Sequence, residues 1–555
     1  MTAQTPQADL VGLHEPVPAA RPQSTAVSPT PSPSPRRGPG PGPLERFTAG
    51  RWSLPIILIV QAALSVHLIW ANTAFQDEAL YLTTGHVEWS HWLDGTPVAS
   101  FQTYFSGAPV IYPPLAAAAD AVGGLAAARA LSLCFMLLAT VLLHGVTKRI
   151  FNPSAATFAA AVFAGVGATQ YLGAFATYDA MALTLLALAT WLGVRAAEHN
   201  APTRLILLSL SGLTIVLADA TKYAATLFDP VVIGVAVLTV WQRRGRGRGL
   251  GAGLTICGVT ALGVAGALLA GGQSYWRGIE FTTLSRADST SPPIGILFVS
   301  LGWAGLVGVL AIIGAVTTIC AANGGARKVL AVVLAAAVWL APAEQARIDT
   351  FVSLFKHVGF GEWFGAVVAG FALASITAAI PKAKAEMGLR ASWAAAGACA
   401  VVGFLLATNQ FAAWPNASAL MTALRPLLRD HPHAVLATDD GDVIEYYLAA
   451  DKILSREFLI DEQAQWQAAF SGAGFSYVDP ATGERVRGLV AYKLAIENGY
   501  FSVIALSDYH AWAAADQIIR TDIIKDRDYR LAANIPYIAA GARSSFEVWI
   551  YKGSR

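Results

Sequence analysis

Two neighbouring carboxylates, Asp77 and Glu78, follow within a few residues of the first long apolar stretch of this 555-residue chain. That position puts them at a membrane surface or just inside it, where a carboxylate is costly unless it has a partner or a use. A third, Asp179, lies in "FATYDAM" at the start of a helical stretch. An Asp there serves most often as an N-cap, and a second role is compatible with the first. Four cations stand in segments on the same side: Lys222 in "ATKYAATLFDP", Arg286 in "FTTLSRADSTSPP", Arg347 in "EQARIDTF" and Lys356, followed by His357, in "SLFKHVGFGEWF". Singly, each fits a headgroup anchor or a solvated loop. Together they divide charge as a substrate with a phosphate and a hydroxyl to be activated would require.

The elements that position these residues are membrane spans. Hydrophobic residues make up 55% of the chain and charged ones 13%, and the mean hydropathy is +0.50. Soluble proteins carry roughly 25% charged residues. Apolar runs of about 20 residues match a bilayer core of roughly 30 Å. A soluble enzyme and a fibrous protein are thereby excluded, and the net charge of +2 gives no reason to expect nucleic acid. Eleven spans are expected, at 53–71, 125–147, 154–173, 179–197, 205–219, 225–241, 251–271, 294–318, 329–341, 360–380 and 391–411. With the N-terminus inside, the inner segments hold 18 Lys and Arg residues. The outer ones before residue 412 hold 6: Arg129, Lys222, Arg277, Arg286, Arg347 and Lys356. This bias supports the orientation and sends residues 412–555 outside.

Residues 1–50, with "PTPSPSPRRGPGPGP", read as a disordered cytoplasmic tail. Residues 51–411 read as the membrane domain. The outer loop 72–113 holds Asp77, Glu78, Glu88 and Asp94 and no Lys or Arg. Its aromatics (Tyr81, Trp89, Trp92, Phe101, Tyr104, Phe105, Tyr112) suit an interfacial belt or a built site equally. Arg129 is placed to close an ion pair with Asp120 or another carboxylate. Residues 412–555 read as an extracytoplasmic α/β accessory or acceptor-recognition domain, with strands at 433–439, 500–507 and 543–552. Cys134, Cys257, Cys320 and Cys399 fall in apolar runs at no metal-ligand spacing, as buried small hydrophobes would.

In consistent order over residues 53–411, "QDEALYL" (76–82), "YPPLAAAADAVGG" (112–124), "AARALSLCF" (127–135), "TYDAM" (177–181) and "TKY" (221–223) resemble motifs of the C-type glycosyltransferases. The resemblance is to their protein-mannosyltransferase-like and lipid A aminoarabinose-transferase-like branch. The stretch "QARIDTFVSLFKHVGFGEWFGAVVAG" (345–370) looks like one common in actinobacterial members. The resemblance implies a polytopic helical membrane protein in a bacterial plasma membrane. It also implies inverting transfer of a sugar from a polyprenyl-phosphate carrier to an acceptor glycan, glycolipid or protein at the outer face. Asp77 would be the general base, with Glu78 and Asp179 orienting acceptor or sugar hydroxyls. Lys222, Arg286, Arg347 and Lys356 would face the lipid phosphate, with His357 as a hydrogen-bond donor. No cofactor or metal is expected, although oligosaccharyl-transfer relatives use a divalent ion. A transporter or flippase, or a non-catalytic envelope scaffold, is the competing expectation. The former is weakened by the absence of a visible internal repeat.

Overall fold

In a computed structural model of the chain, residues 48, 50–103, 105–284, 291–321, 324–379, 385–429, 434–450, 456–459, 475–509 and 513–553 are described. The expected tail falls almost wholly outside them. The membrane region runs α1 (Ser53–Ile69), α2 (Gln76–Asp94), α3 (Tyr112–Ile150), α4 (Pro153–Gly165), α5 (Gly167–Leu172), α6 (Asp179–Ala196), α7 (Ala201–Thr221), α8 (Asp229–Arg244) and α9 (Arg246–Ile279). It continues with α10 (Pro293–Ala321), α11 (Gly325–Ala336), α12 (Leu340–Arg347), α13 (Leu354–Ala379) and α14 (Ala385–Phe411). Nine helical stretches among the described residues are long and apolar enough to cross a membrane. The two shorter apolar helices, Ser53–Ile69 and Pro153–Gly165, coincide with the first and third expected spans. All eleven spans are therefore found as helices, and the chain is a multi-pass membrane protein. Three cysteines depart from expectation: Cys134, Cys257 and Cys320 are exposed, and Cys399 alone is buried. Hydropathy places a residue in a span but does not say which side of the helix faces lipid.

Helix α13 is the central element, packed against α4, α10 and α14. Its residues Trp363, Phe364, Val367 and Val368 are fully buried. Between α1 and α3 the chain is not a simple loop. Helix α2 starts where the Glu78 carboxylate accepts from the Phe75 amide at 3.0 Å, and it ends at Gly95 in the left-handed region. Both features are standard terminators of a helix. Helix α3 is broken at Gly124, whose φ of 64° with ψ of −165° only glycine adopts readily. The break separates a short outer segment from the span proper.

The C-terminal part adds α15 (Ser418–Arg429), β1 (Val435–Thr438), α16 (Gly441–Ala450), β2 (Arg456–Leu459), β3 (Ser476–Val478), β4 (Arg485–Arg487), α17 (Leu489–Glu497), β5 (Val503–Leu506), α18 (Ala513–Asp526), β6 (Tyr529–Ala539) and β7 (Ala542–Tyr551). The main sheet has the order β2-β1-β5-β7-β6. Strand β1 is parallel to β2 and β5, and β7 is antiparallel to both β5 and β6. Helices α15 and α16 bury Leu420, Leu424, Ile444 and Leu448 on one face of the sheet. Helices α17 and α18 bury Tyr492, Ile496, Ile519 and Ile523 on the other. The three strands read from the sequence are β1, β5 and β7.

Candidate active site

Asp77 is the second residue of α2, so its carboxylate stands at the positive end of the helix dipole. Its Oδ2 lies 2.6 Å from Nζ of Lys356, which enters from the first turn of α13. The same ammonium is 4.0 Å from Oδ2 of Asp179, the first residue of α6. Oδ1 of Asp179 is 2.5 Å from Nζ of Lys222. Lys222 occupies the single-residue gap between α7 and the 3-10 turn Tyr223–Phe228. Two carboxylates and two ammonium groups, drawn from four segments far apart in sequence, thus alternate in one continuous cluster. Exposure rises along it: the side chains of Asp179, Lys222 and Lys356 are 0%, 2% and 8% exposed, and that of Asp77 is 32%. Only the Asp77 end opens outward.

Hydroxyl groups complete the cluster. Thr177 Oγ1 donates to Asp179 Oδ2 at 2.9 Å. Tyr81, one turn beyond Asp77 on α2, donates through its hydroxyl to that of Tyr178 at 2.6 Å, and Tyr178 shares a further short hydrogen bond with Ser106. Nζ of Lys222 lies 4.8 Å from the Tyr178 ring centre, a cation–π contact. Burial pushes the Tyr178 phenol up to about 12, so it stays a neutral donor and acceptor. Burial likewise depresses the Lys222 ammonium to about 8, against the opposing pull of Asp179. The sequence reading omitted Tyr178, Tyr81 and Ser106 from the site. The one available signal was adjacency, Tyr178 to Asp179 and Tyr81 four residues after Asp77.

The turn that carries Lys222 is clasped by the outer loop. The Tyr223 amide donates to Ser106 O at 2.9 Å and the Ala108 amide to Ala220 O at 2.7 Å. Gly107 sits between them, and a Cβ there would lie 2.1 Å from the Thr221 carbonyl oxygen. No other residue type allows the two backbones to approach so closely.

Glu78 has a different position from the one expected. It is 0% exposed and turned away from Asp77. Its oxygens receive Arg129 Nε at 2.8 Å, Arg129 Nη2 at 2.7 Å, the Phe75 amide at 3.0 Å and the Ala176 amide at 2.8 Å. With its acceptor sites occupied, Glu78 holds α2 against α3 and the segment before α6. Its carboxylate is closed off from the opening at Asp77. Arg129 therefore pairs with Glu78. Asp120 instead receives Tyr446 of α16 at 2.6 Å and lies 2.7 Å from His86 of α2.

Arg347 also departs from expectation. It lies on the surface with its side chain 67% exposed and chelates Glu344, three residues earlier, at 2.8 and 2.6 Å. Arg286 lies outside the described residues. His357 is 9% exposed, and its Nδ1 donates to the Gln345 side-chain oxygen at 2.9 Å. The Gln345 amide in turn donates to Thr350 O and Val352 O at 2.7 and 3.2 Å. His357 thereby fixes the loop leading into Lys356, in which Asp349 and Ser353 take positive φ angles of 50° and 67°. Of the loop aromatics, Trp89 and Trp92 are exposed as a belt would be, whereas Tyr81, Phe101, Phe105 and Tyr112 are buried around Tyr178. Tyr104 lies outside the described residues.

The C-terminal domain reaches this site. Asn72 donates to Phe411 O and Trp414 O at 2.9 and 3.0 Å, the Ala417 amide to Thr73 Oγ1 at 3.0 Å, and the Ala74 amide to the Tyr447 hydroxyl at 2.9 Å. Asn72, Thr73 and Ala74, shortly before α2, are thus held by α14, by the segment that follows it and by α16.

Among solved structures, ArnT from Cupriavidus metallidurans with undecaprenyl phosphate bound superimposes with a TM-score of 0.55 at 14% identity. The match covers 91% of this chain and 99% of that one. The chain shares the fold of ArnT. The oligosaccharyltransferase of Archaeoglobus fulgidus, solved with Zn and sulfate, matches at a TM-score of 0.51 and 14% identity over 89% of this chain and 72% of that one. The same archaeal protein, AglB, solved with an inhibitory peptide and a dolichol-phosphate, gives 0.50 at 12% identity over 89% and 74%. In sequence, the family of dolichyl-phosphate-mannose-protein mannosyltransferases matches residues 118–263, about a quarter of the chain. That stretch includes Asp179 and Lys222. No curated protein matches the sequence. The archaeal structure holds a metal. Here Asp77 and Asp179 are each taken by a lysine, and among the described residues no three His, Cys, Asp or Glu side chains converge as a metal site requires.

Proposed function

We propose that the chain is an inverting glycosyltransferase that moves a sugar from a polyprenyl-phosphate carrier to an acceptor hydroxyl at the outer face of the plasma membrane. The observation that carries this reading is the alternating Asp77–Lys356–Asp179–Lys222 cluster, open only at Asp77. Asp77 meets the acceptor and takes its proton as the oxygen attacks the anomeric carbon. The bond from that carbon to the carrier phosphate breaks, and the negative charge left on the phosphate falls to Lys356 and Lys222. Preorganised cations facing developing charge contribute several kcal/mol in comparable sites. Asp179 keeps Lys222 charged and aligned despite its burial. The fold of ArnT, which was solved with a polyprenyl phosphate bound, supports a lipid-phosphate donor. The C-terminal domain, packed on α2, is in place to present the acceptor, whether glycan, glycolipid or protein.

The test uses the purified protein in lipid nanodiscs with a panel of polyprenyl-phosphate sugars and follows release of free polyprenyl phosphate. Release that needs one sugar and is lost in Asp77→Asn supports the transferase. Donor binding without release, in the presence of every acceptor class, favours a carrier protein instead.

A further inference from the structure

At the opposite end of the bundle, arginines from three helix ends converge. Arg149 closes α3, Arg195 closes α6 and Arg243 closes α8, and all three reach Glu198, in the turn after α6, at 3.4, 3.0 and 3.2 Å. The side chains are between 24% and 38% exposed, so the group lies at a boundary and is not buried. Its geometry is fixed from behind. Arg149 Nη1 donates to Gly145 O at 2.8 Å and Arg243 Nη2 to Arg149 O at 2.9 Å. The Trp191 ring sits between Arg149 and Arg195, 5.8 and 5.6 Å from their guanidinium carbons.

Three features of this group point to a ligand. Three guanidiniums share one carboxylate, and Arg244 donates to the carbonyls of Ala197 and Glu198 beside them, so positive charge is in excess. Helix α6 runs from Asp179 to Ala196, about 27 Å at 1.5 Å per residue, which places the arginines one hydrocarbon thickness from the catalytic cluster. That is headgroup depth, where indole rings also settle. Finally, Arg195 reaches Glu198 through Nη1, which leaves its Nε–Nη2 edge as a planar fork, the geometry that matches a phosphate. A topology signal alone needs positive residues but no convergence.

We infer that this cluster is a binding site for the phosphate of an anionic phospholipid in the leaflet opposite the catalytic face. The depth of the cluster selects a lipid phosphate over a soluble one. The inference does not depend on the proposed reaction.

The experiment is native mass spectrometry of the delipidated full chain, offered phosphatidylglycerol and phosphatidylcholine of identical acyl chains. Phosphatidylglycerol adducts should exceed phosphatidylcholine adducts about tenfold. The preference should fall to near parity in Arg195→Gln/Arg243→Gln and be retained only in part in Arg195→Lys/Arg243→Lys, which keeps the charge without the fork and reports on folding. Equal binding of the two lipids by the wild type overturns the inference, as does an unchanged preference in the Gln variant. Displacement of phosphatidylglycerol by millimolar inorganic phosphate would assign the site to a free anion and overturn its lipid character.

Discussion

Lys222 gives the catalytic cluster a pH signature with two opposite signs. Burial lowers its ammonium from 10.5 to about 8, so the folded chain releases this proton before the unfolded chain does. Between those two values the unfolded state binds more protons, and this residue's contribution to stability rises with pH. The full difference corresponds to roughly 3 kcal/mol at about 1.4 kcal/mol per pKa unit. Donor binding runs the other way, because the phosphate needs the ammonium. If only the protonated form binds, the apparent Kd grows by about 1.1-fold at pH 7 and about 11-fold at pH 9, close to 1.4 kcal/mol. The assay is donor binding and thermal unfolding of the same nanodisc sample from pH 6.5 to 9.5. Affinity should fall through pH 8 while the Lys222 contribution to stability increases. In Lys222→Arg the charge is retained throughout, and the alkaline limb of binding should vanish. A wild-type affinity that is flat across the range, or a limb that survives in Lys222→Arg, would refute the assignment of Lys222 to the phosphate.

Asp77→Asn should keep donor affinity and lose about 10²–10⁴ in turnover, the usual weight of a general base, as measured by release of carrier phosphate under saturating donor. Glu78→Gln should act on the fold instead. It leaves the fully buried Arg129 without its counter-charge, a loss of about 3–5 kcal/mol that thermal unfolding would report. Gly107→Ala forces a Cβ to within 2.1 Å of the Thr221 carbonyl and should displace the Lys222 turn. At about 1–3 kcal/mol for an overpacked contact, donor affinity should fall roughly tenfold or more with the bundle intact. For topology, Thr482→Cys, on an exposed turn of the C-terminal domain, should react with an impermeant thiol reagent added to intact cells; protection until lysis would invert the orientation.

The spans were legible because a bilayer imposes a length and an apolarity that few other environments share, and all eleven appear as helices. Strands β1, β5 and β7 were legible from apolar runs and alternation. Side-chain direction was not. Asp77 and Glu78 are adjacent and chemically alike, but one residue turns a helix by about 100°. One carboxylate therefore faces the opening, while the other faces Arg129, 51 residues away. Lys356 and Arg347 looked equivalent as outer cations. They differ because Lys356 enters the core on α13, whereas Arg347 ends α12 within reach of Glu344. Tyr178 was passed over because a tyrosine among apolar residues reads as packing until Tyr81 and Ser106 are seen against it.

The residues that hold the start of α2 bear on the order in which the protein becomes competent. Asp77 leaves the ribosome early, but Asn72, Thr73 and Ala74 find their partners at Phe411, Trp414, Ala417 and Tyr447, more than 300 positions later. Lys356, which closes on Asp77, follows it by 279 residues. Arg129 can dock α2 through Glu78 early, but the surroundings of Asp77 are complete only once Lys356 and the residues beyond Phe411 are in place. A chain cut short of Tyr447 can present a lipid-facing bundle without a finished active site.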